Sequence, residues 1–259
     1  MGLKFNLFKS KQEKREAGYM SQRRNILGNN SSFQVQEAYK TLRTNIRFSS
    51  TGKLFCITSG LAAEGKSITA LNIAISFAEA GQKVLVIDAD LRRPSMARLL
   101  IENGAPGLSN VLAGLCTEEE AIRKELMPNL DVLFSGEIPP NPSELLSSPR
   151  MEELLRRLSA QYDYIFVDTP PVNIVTDACV VGSLVDGVLF VVRQNQSDRD
   201  SVKQGVNQLN IAGVKLLGFV YNGVETGNRR GYKRYRYYKY RAYGYQAYKS
   251  SAQEQEADQ

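Results

Sequence analysis

The chain has 259 residues, 33 Lys plus Arg, 27 Asp plus Glu, and a net charge of +6. It contains no His, which excludes Ser-His-Asp triads, histidine general bases, HExxH metal sites and phosphohistidine relays. Three scattered cysteines, Cys56, Cys116 and Cys179, argue against a disulfide framework or a cysteine zinc site; each is expected as a buried small hydrophobe in a reducing compartment.

In chain order, residues 1–30 are polar and basic and run into Gly28-Asn29-Asn30-Ser31-Ser32, which reads as a flexible arm. Met1-Gly2-Leu3-Lys4-Phe5-Asn6 is too poor in apolar residues for a secretory signal and lacks the Ser or Thr of a myristoylation site. No apolar run approaches the roughly 18 residues of a spanning helix, so a cytosolic or membrane-peripheral protein is expected. From Gln34 to Phe48 the spacing of Val35, Ala38, Tyr39, Leu42 and Ile46 predicts a helix. Leu54–Thr58 reads as a buried strand, followed by a Gly-rich turn and a helix from about Lys66 to Glu79, with Gly81 as its cap. Lys83–Asp88, Leu130–Phe134, Tyr164–Asp168, Val188–Val192 and Leu216–Tyr221 read as further strands. Helices are expected over 149–160 and 198–211. Ser109–Gly114 and Pro139–Pro142 read as loop and turn. Apolar strands alternating with helices predict an α/β fold, a doubly wound, mostly parallel sheet with helices on both faces. It should fill 31–228, leaving 229–259 as a disordered tail.

The charge is unevenly placed. Residues 1–24 carry +5, residues 229–249 carry +8 with no acid, and residues 250–259 carry −3. The remainder, 25–228, carries −4, so the basicity lives in the two ends. Tyr232, Tyr235, Tyr237, Tyr238, Tyr240, Tyr243, Tyr245 and Tyr248 crowd the basic C-terminal stretch, out of 13 tyrosines in the chain. By itself such a stretch also suits nucleic acid, since aromatic rings stack on bases and cations meet phosphates.

Gly60-Leu61-Ala62-Ala63-Glu64-Gly65-Lys66-Ser67 matches G-x-x-x-x-G-K-[ST] between an expected strand and helix. Gly65 lets backbone N–H groups approach a phosphate, and the helix that follows points its positive end at the anion. Lys66 can neutralise outer phosphates, and the Ser67 hydroxyl can ligate Mg²⁺. Gly60, Glu64, Gly65, Lys66, Ser67 and Ile68 therefore form the expected nucleotide set, with Asn222 as a candidate for the adenine edge. Two strands end in acids, Asp88-Ala89-Asp90 and Asp168. Ligands of open parallel sheets sit at the carboxyl ends of strands, so these acids should converge on the phosphates. Asp168 suits a metal-holding role; Asp88 and Asp90 suit either Mg²⁺ or proton acceptance. Arg92 is a candidate to meet the transferring phosphate or product, and Arg193, just past a strand, to face the nucleotide; a surface role is the alternative for each.

These motifs together resemble the bacterial P-loop tyrosine kinases of capsule and exopolysaccharide synthesis, over about 34–248. The loop 60–67 is similar to their Walker A motif, Val86-Ile87-Asp88-Ala89-Asp90 to Walker A′, and Ile165-Phe166-Val167-Asp168 to Walker B. Glu37-Ala38-Tyr39-Lys40-Thr41-Leu42-Arg43 resembles their Glu-x-x-Arg-x-x-Arg oligomer helix, with Lys40 in place of the first Arg, which keeps charge and loses the bidentate fork. Ala62-Ala63 replaces the family's usual Pro-Gly.

The resemblance implies an ATP- and Mg²⁺-dependent enzyme that phosphorylates its own tyrosine cluster in trans. Lys66, Asp88 and Asp90 would be catalytic, Asp88 taking the tyrosyl proton. Ser67, Asp88 and Asp168 would hold the metal. Glu37, Lys40 and Arg43 would contribute to a homo-oligomer. It also implies a membrane-anchored activator of the polysaccharide chain-length regulator type, which would keep the protein cytoplasmic and peripheral at the inner face of the plasma membrane. Other tyrosine-containing proteins are possible substrates, and nucleic acid is not expected as a partner. The alternatives are a ParA- or MinD-type ATPase acting on DNA or a membrane surface, and a non-catalytic nucleotide-binding scaffold. The first is disfavoured by Leu61, which stands where those proteins carry a second loop lysine.

Overall fold

The structure, a computed structural model, describes residues 24–224. Expectations for 1–23 and for the tail, including all eight tail tyrosines, lie outside the described residues. In chain order the elements are α1 (Phe33–Ser49), β1 (Leu54–Ser59), α2 (Lys66–Ala78), β2 (Val84–Asp88), α3 (Met96–Leu100) and α4 (Leu108–Ala113). Then come α5 (Glu118–Ala121), β3 (Ile122–Met127), β4 (Leu130–Leu133), α6 (Pro142–Leu146), α7 (Pro149–Gln161) and β5 (Tyr164–Asp168). The last are α8 (Asp177–Gly182), β6 (Gly187–Arg193), α9 (Arg199–Ile211) and β7 (Leu216–Asn222).

The six apolar runs form β1, β2, β4, β5, β6 and β7. All belong to one sheet in the order β3-β4-β2-β5-β1-β6-β7. Neighbours are parallel except β3 and β4. A strand buried on both faces sends alternate side chains to opposite cores. Accordingly Leu85 and Ile87 of β2 pack with Leu154, Leu158 and Val181, toward α7 and α8. Val84 and Val86 pack with Leu71, Phe77 and Ile46, toward α2 and α1. Phe77 meets Tyr164 and Phe166 of β5 with ring centroids 4.4 and 5.2 Å apart, which fixes α2 across the centre of the sheet.

Three readings are corrected. Ser109–Gly114 lies largely in helix α4, because Leu108 and Leu112, four apart, both reach the core. Pro142 opens α6 rather than ending a loop, since proline suits the first helical turn. The end of the expected arm is anchored: Leu27 is buried, its N–H donates to Asn72 Oδ1 at 2.7 Å, and Asn72 Nδ2 donates to Asn25 O. Of the cysteines, Cys56 is buried, whereas Cys116 and Cys179 are only partly covered.

The sheet order puts β2, β5 and β1 side by side. Their carboxyl ends deliver Asp88, Asp168 and the loop after Ser59 to one edge. Asp88 and Asp168 are register partners on neighbouring parallel strands.

Candidate active site

The loop from Gly60 to Gly65 joins β1 to α2. Gly65 caps α2 with φ 90°, a left-handed conformation that favours glycine. A Cβ there would also lie 2.2 Å from Asn222 Nδ2. Ala63 takes φ 66°, unusual for a residue with a side chain. It is the position where the resembled family carries Gly.

Lys66 reaches from the first turn of α2 into the acids. Its Nζ lies 3.0 Å from Asp90 Oδ2 and 3.8 Å from Asp168 Oδ1. Burial alone would lower the ammonium's pKa; Asp168, Asp90 and Asp88 outweigh it and hold the charge. Asp88 accepts from the N–H of Asp90 at 3.2 Å and from the N–H of Met96 at 3.2 Å, which fixes its carboxylate at the start of α3. Burial, followed by the neighbouring Asp168 charge, pushes Asp88 well above the ordinary carboxylate range despite Lys66. Asp168 is also raised, first by burial, with the Lys66 charge opposing. A carboxylate shifted toward neutral pH is suited to taking up a proton there.

Both Asp168 oxygens are buried without a hydrogen-bond partner. Acceptors left orphaned beside Ser67 are what a cation would satisfy. Among the described residues no three His, Cys, Asp or Glu form a complete metal cage. Mg²⁺ is commonly bound through one or two carboxylates, water and substrate phosphates. The donor set of Ser67, Asp88 and Asp168 therefore fits Mg²⁺.

The remaining expected residues have definite places. Ile68 is half-buried in the first turn of α2. The Glu64 carboxylate turns inward, accepting from Leu61 N at 2.8 Å and from Ser197 Oγ. Asn222 donates its side-chain amide to Glu64 O at 3.0 Å. Arg193 donates to Ala63 O at 2.9 Å. Arg92 is paired away from the loop: its Nε and Nη2 lie 2.8 and 3.2 Å from the buried Asp177 carboxylate, and Ser143 Oγ completes the cluster. On α1, Lys40 pairs with Glu37 at 3.0 Å on an exposed face, whereas Arg43 turns inward to the backbone oxygen of Ser76 on α2.

Sequence reasoning missed Asp177, Ser143, Gln196 and Ser197. Each acts through a partner 34 or more positions away, and no local spacing announces it.

Comparison with known proteins places this geometry. The AAA domain model matches residues 55–215. The tyrosine-protein kinase YwqD of Bacillus subtilis strain 168 is 41% identical over 202 residues, covering 77% of this chain and 85% of that protein. The kinase domain of the Escherichia coli tyrosine kinase ETK superposes with a TM-score of 0.72 at 37% identity, over 75% of this chain and 77% of that one. The septum site-determining protein MinD of Pyrococcus horikoshii OT3, solved with Mg-ADP, is more distant: TM-score 0.56, 25% identity, over 65% and 69% of the two chains. The phosphate loop, the paired strand-end aspartates and a 41% identical relative spanning most of both chains agree: this chain belongs to the bacterial P-loop tyrosine-protein kinases.

Proposed function

We propose that this kinase binds ATP with Mg²⁺ on residues 60–68 and transfers the γ-phosphoryl group to the tyrosines at 232–248 of a second copy. Lys66 leaves Asp90 to neutralise the outer phosphates. Ser67 and Asp168 would hold Mg²⁺ during transfer, leaving Asp88 free to act as base; the metal, when bound, would neutralise phosphate charge. The tyrosyl oxygen forms the new bond to phosphorus as the bond to the β-phosphate oxygen breaks. The phenolic proton passes to Asp88, and ADP leaves. Catalysis here is positioning and charge neutralisation, with little covalent work for the protein. Asp90 aligns Lys66 and the turn after β2, where its Oδ1 accepts from Arg93 N at 2.9 Å.

The observation that carries this reading is the convergence of Lys66, Asp88, Asp90 and Asp168 at the phosphate loop, in a chain that holds eight tyrosines in one basic stretch. A membrane-anchored activator of the polysaccharide chain-length regulator type, and a role in capsule or exopolysaccharide synthesis, follow from the family resemblance. So does self-association through α1. Recruitment to the inner face by that partner follows from the same resemblance; among the described residues no helix is long and apolar enough to cross a membrane. The test is incubation with ATP and Mg²⁺, with and without that partner, read by phosphotyrosine mass spectrometry. Wild type should acquire phosphate within 232–248, and Lys66→Met should acquire none. An unmodified tail in the wild-type protein with an active partner would overturn the reading.

A further inference from the structure

Ala62 and Ala63 have no side chains that can fix the phosphate loop, yet Ala63 is held at φ 66°. A non-glycine residue keeps that conformation only where its surroundings impose it. The surroundings are specific. Gln196 Nε2 donates to Ala62 O at 3.0 Å, Arg193 Nη1 to Ala63 O at 2.9 Å, and Asn222 Nδ2 to Glu64 O at 3.0 Å. Ser197 Oγ adds a bond to the Glu64 carboxylate, which itself caps Leu61 N. Three consecutive carbonyls are thus each taken by a side-chain donor. The donors come from the ends of β6 and β7 and the turn after β6. Arg193 and Asn222 are register partners, and Gln194 N donates to Asn222 O at 2.9 Å, so the bracket is braced by the sheet itself.

We propose that Arg193, Gln196, Ser197 and Asn222 are positioning residues that hold the phosphate loop in its anion-binding shape before nucleotide arrives. With the carbonyls drawn to the bracket and Leu61 N capped by Glu64, the N–H groups later in the loop are left for phosphate. Nucleotide then binds without having to order the loop, which raises its affinity. The proposal rests on the nucleotide assignment of the loop, and not on which tyrosines are modified.

The test uses full-length protein and a fluorescent ADP analogue, with Arg193→Ala, Arg193→Lys, Gln196→Ala and the double alanine variant. Both side chains are exposed, so their removal leaves the core intact. The double variant should bind ADP about tenfold more weakly, the loss expected for removing two modest hydrogen bonds. Arg193→Lys, which keeps a donor, should recover most of the Arg193 share. In phosphorylation assays the loss should fall on KM for ATP, with kcat reduced about threefold or less. Amide exchange over 61–65 should quicken in the nucleotide-free double variant. Unchanged affinity in the double variant, with normal wild-type binding, overturns the bracket alone. A loss confined to Arg193→Ala that disappears when AMP replaces ADP also overturns it, because that pattern marks direct contact with the outer phosphate. Absence of ADP binding by wild type overturns the nucleotide assignment and the bracket together.

Discussion

Asp168 is fully buried, neither oxygen accepts a hydrogen bond, and its register partner Asp88 is a second carboxylate. Lys66 at 3.8 Å is its nearest compensation, and Asp90 claims the same ammonium at 3.0 Å. A buried charge that only shares a partner is destabilising until a second cation arrives. Because the folded pKa of Asp168 is raised, the folded state holds its proton longer than the unfolded chain does. The penalty is absent at low pH, appears as pH rises past the unfolded value near 4, and is complete above the folded value. Asp168→Asn should therefore stabilise the nucleotide-free protein near pH 8, by about 1–2 kcal/mol or roughly 2–6 °C in Tm. The gain should fade toward pH 4, and Mg²⁺-dependent nucleotide binding should be lost. Melting curves at the two pH values check this. A Tm loss near pH 8 would mean that the carboxylate's attraction for Lys66 outweighs its burial. The acids themselves were legible in the sequence, because strand-end Asp after an apolar run has only one edge to occupy. The pairing of Arg92 was not: its alternatives were phosphate and the surface, and nothing near it in sequence points to Asp177, 85 positions on.

Among the elements, β1, β2, β4, β5, β6 and β7 were readable because a strand covered on both faces is a continuous apolar run. Strand β3 was not. Its sequence, Ile-Arg-Lys-Glu-Leu-Met, belongs to an antiparallel edge where only Ile122 is buried and the rest are partly or fully exposed, and it carries no periodic signal. It is fixed instead by a polar latch at the opposite end of the sheet from the active site. Tyr162 Oη donates to Asp131 Oδ2 at 2.6 Å, Lys124 Nζ lies 2.8 Å from that hydroxyl, and Glu125 N donates to Asp131 Oδ1 at 2.7 Å. Burial tends to raise Asp131, but Tyr162, the Glu125 N–H and Lys124 outweigh it and hold its pKa below the ordinary value. Removing the hydroxyl takes a charge-assisted bond from a largely buried carboxylate. Tyr162→Phe should cost about 2 kcal/mol, or roughly 4–8 °C in Tm, at neutral pH. The sign of the pH dependence is opposite to that at Asp168. A depressed folded pKa contributes stability above the unfolded value, and that stability is lost as pH falls through the folded value. The difference between wild type and Tyr162→Phe should accordingly shrink below pH 4. A difference that stays constant would assign the loss to packing around the ring rather than to the carboxylate.

For the whole molecule, the proposed function makes charge the property that would link enzyme and substrate. The stretch 25–228 carries −4, whereas 229–249 carries +8. A basic tail is attracted to an acidic neighbouring copy, and that attraction weakens with salt as the Debye length falls from about 10 Å at 0.1 M to 3 Å at 1 M. Each phosphate adds about −1.5 to −2, so full modification of eight tyrosines would take the tail to about −4 to −8. On the proposed function, attraction between copies would then become repulsion, and the product of the reaction would act against the assembly that made it. Association of the unmodified protein should weaken at high salt. It should also weaken on incubation with ATP and Mg²⁺ at constant salt. A variant with all eight tail tyrosines changed to Phe keeps the +8 and can accept no phosphate there; its association should respond to salt and not to ATP. Light scattering of both proteins before and after ATP addition measures this directly. Equal dissociation of the Phe variant on adding ATP would place the switch in nucleotide occupancy of the 60–68 loop, where Lys66 changes partners, and not in the charge of the tail.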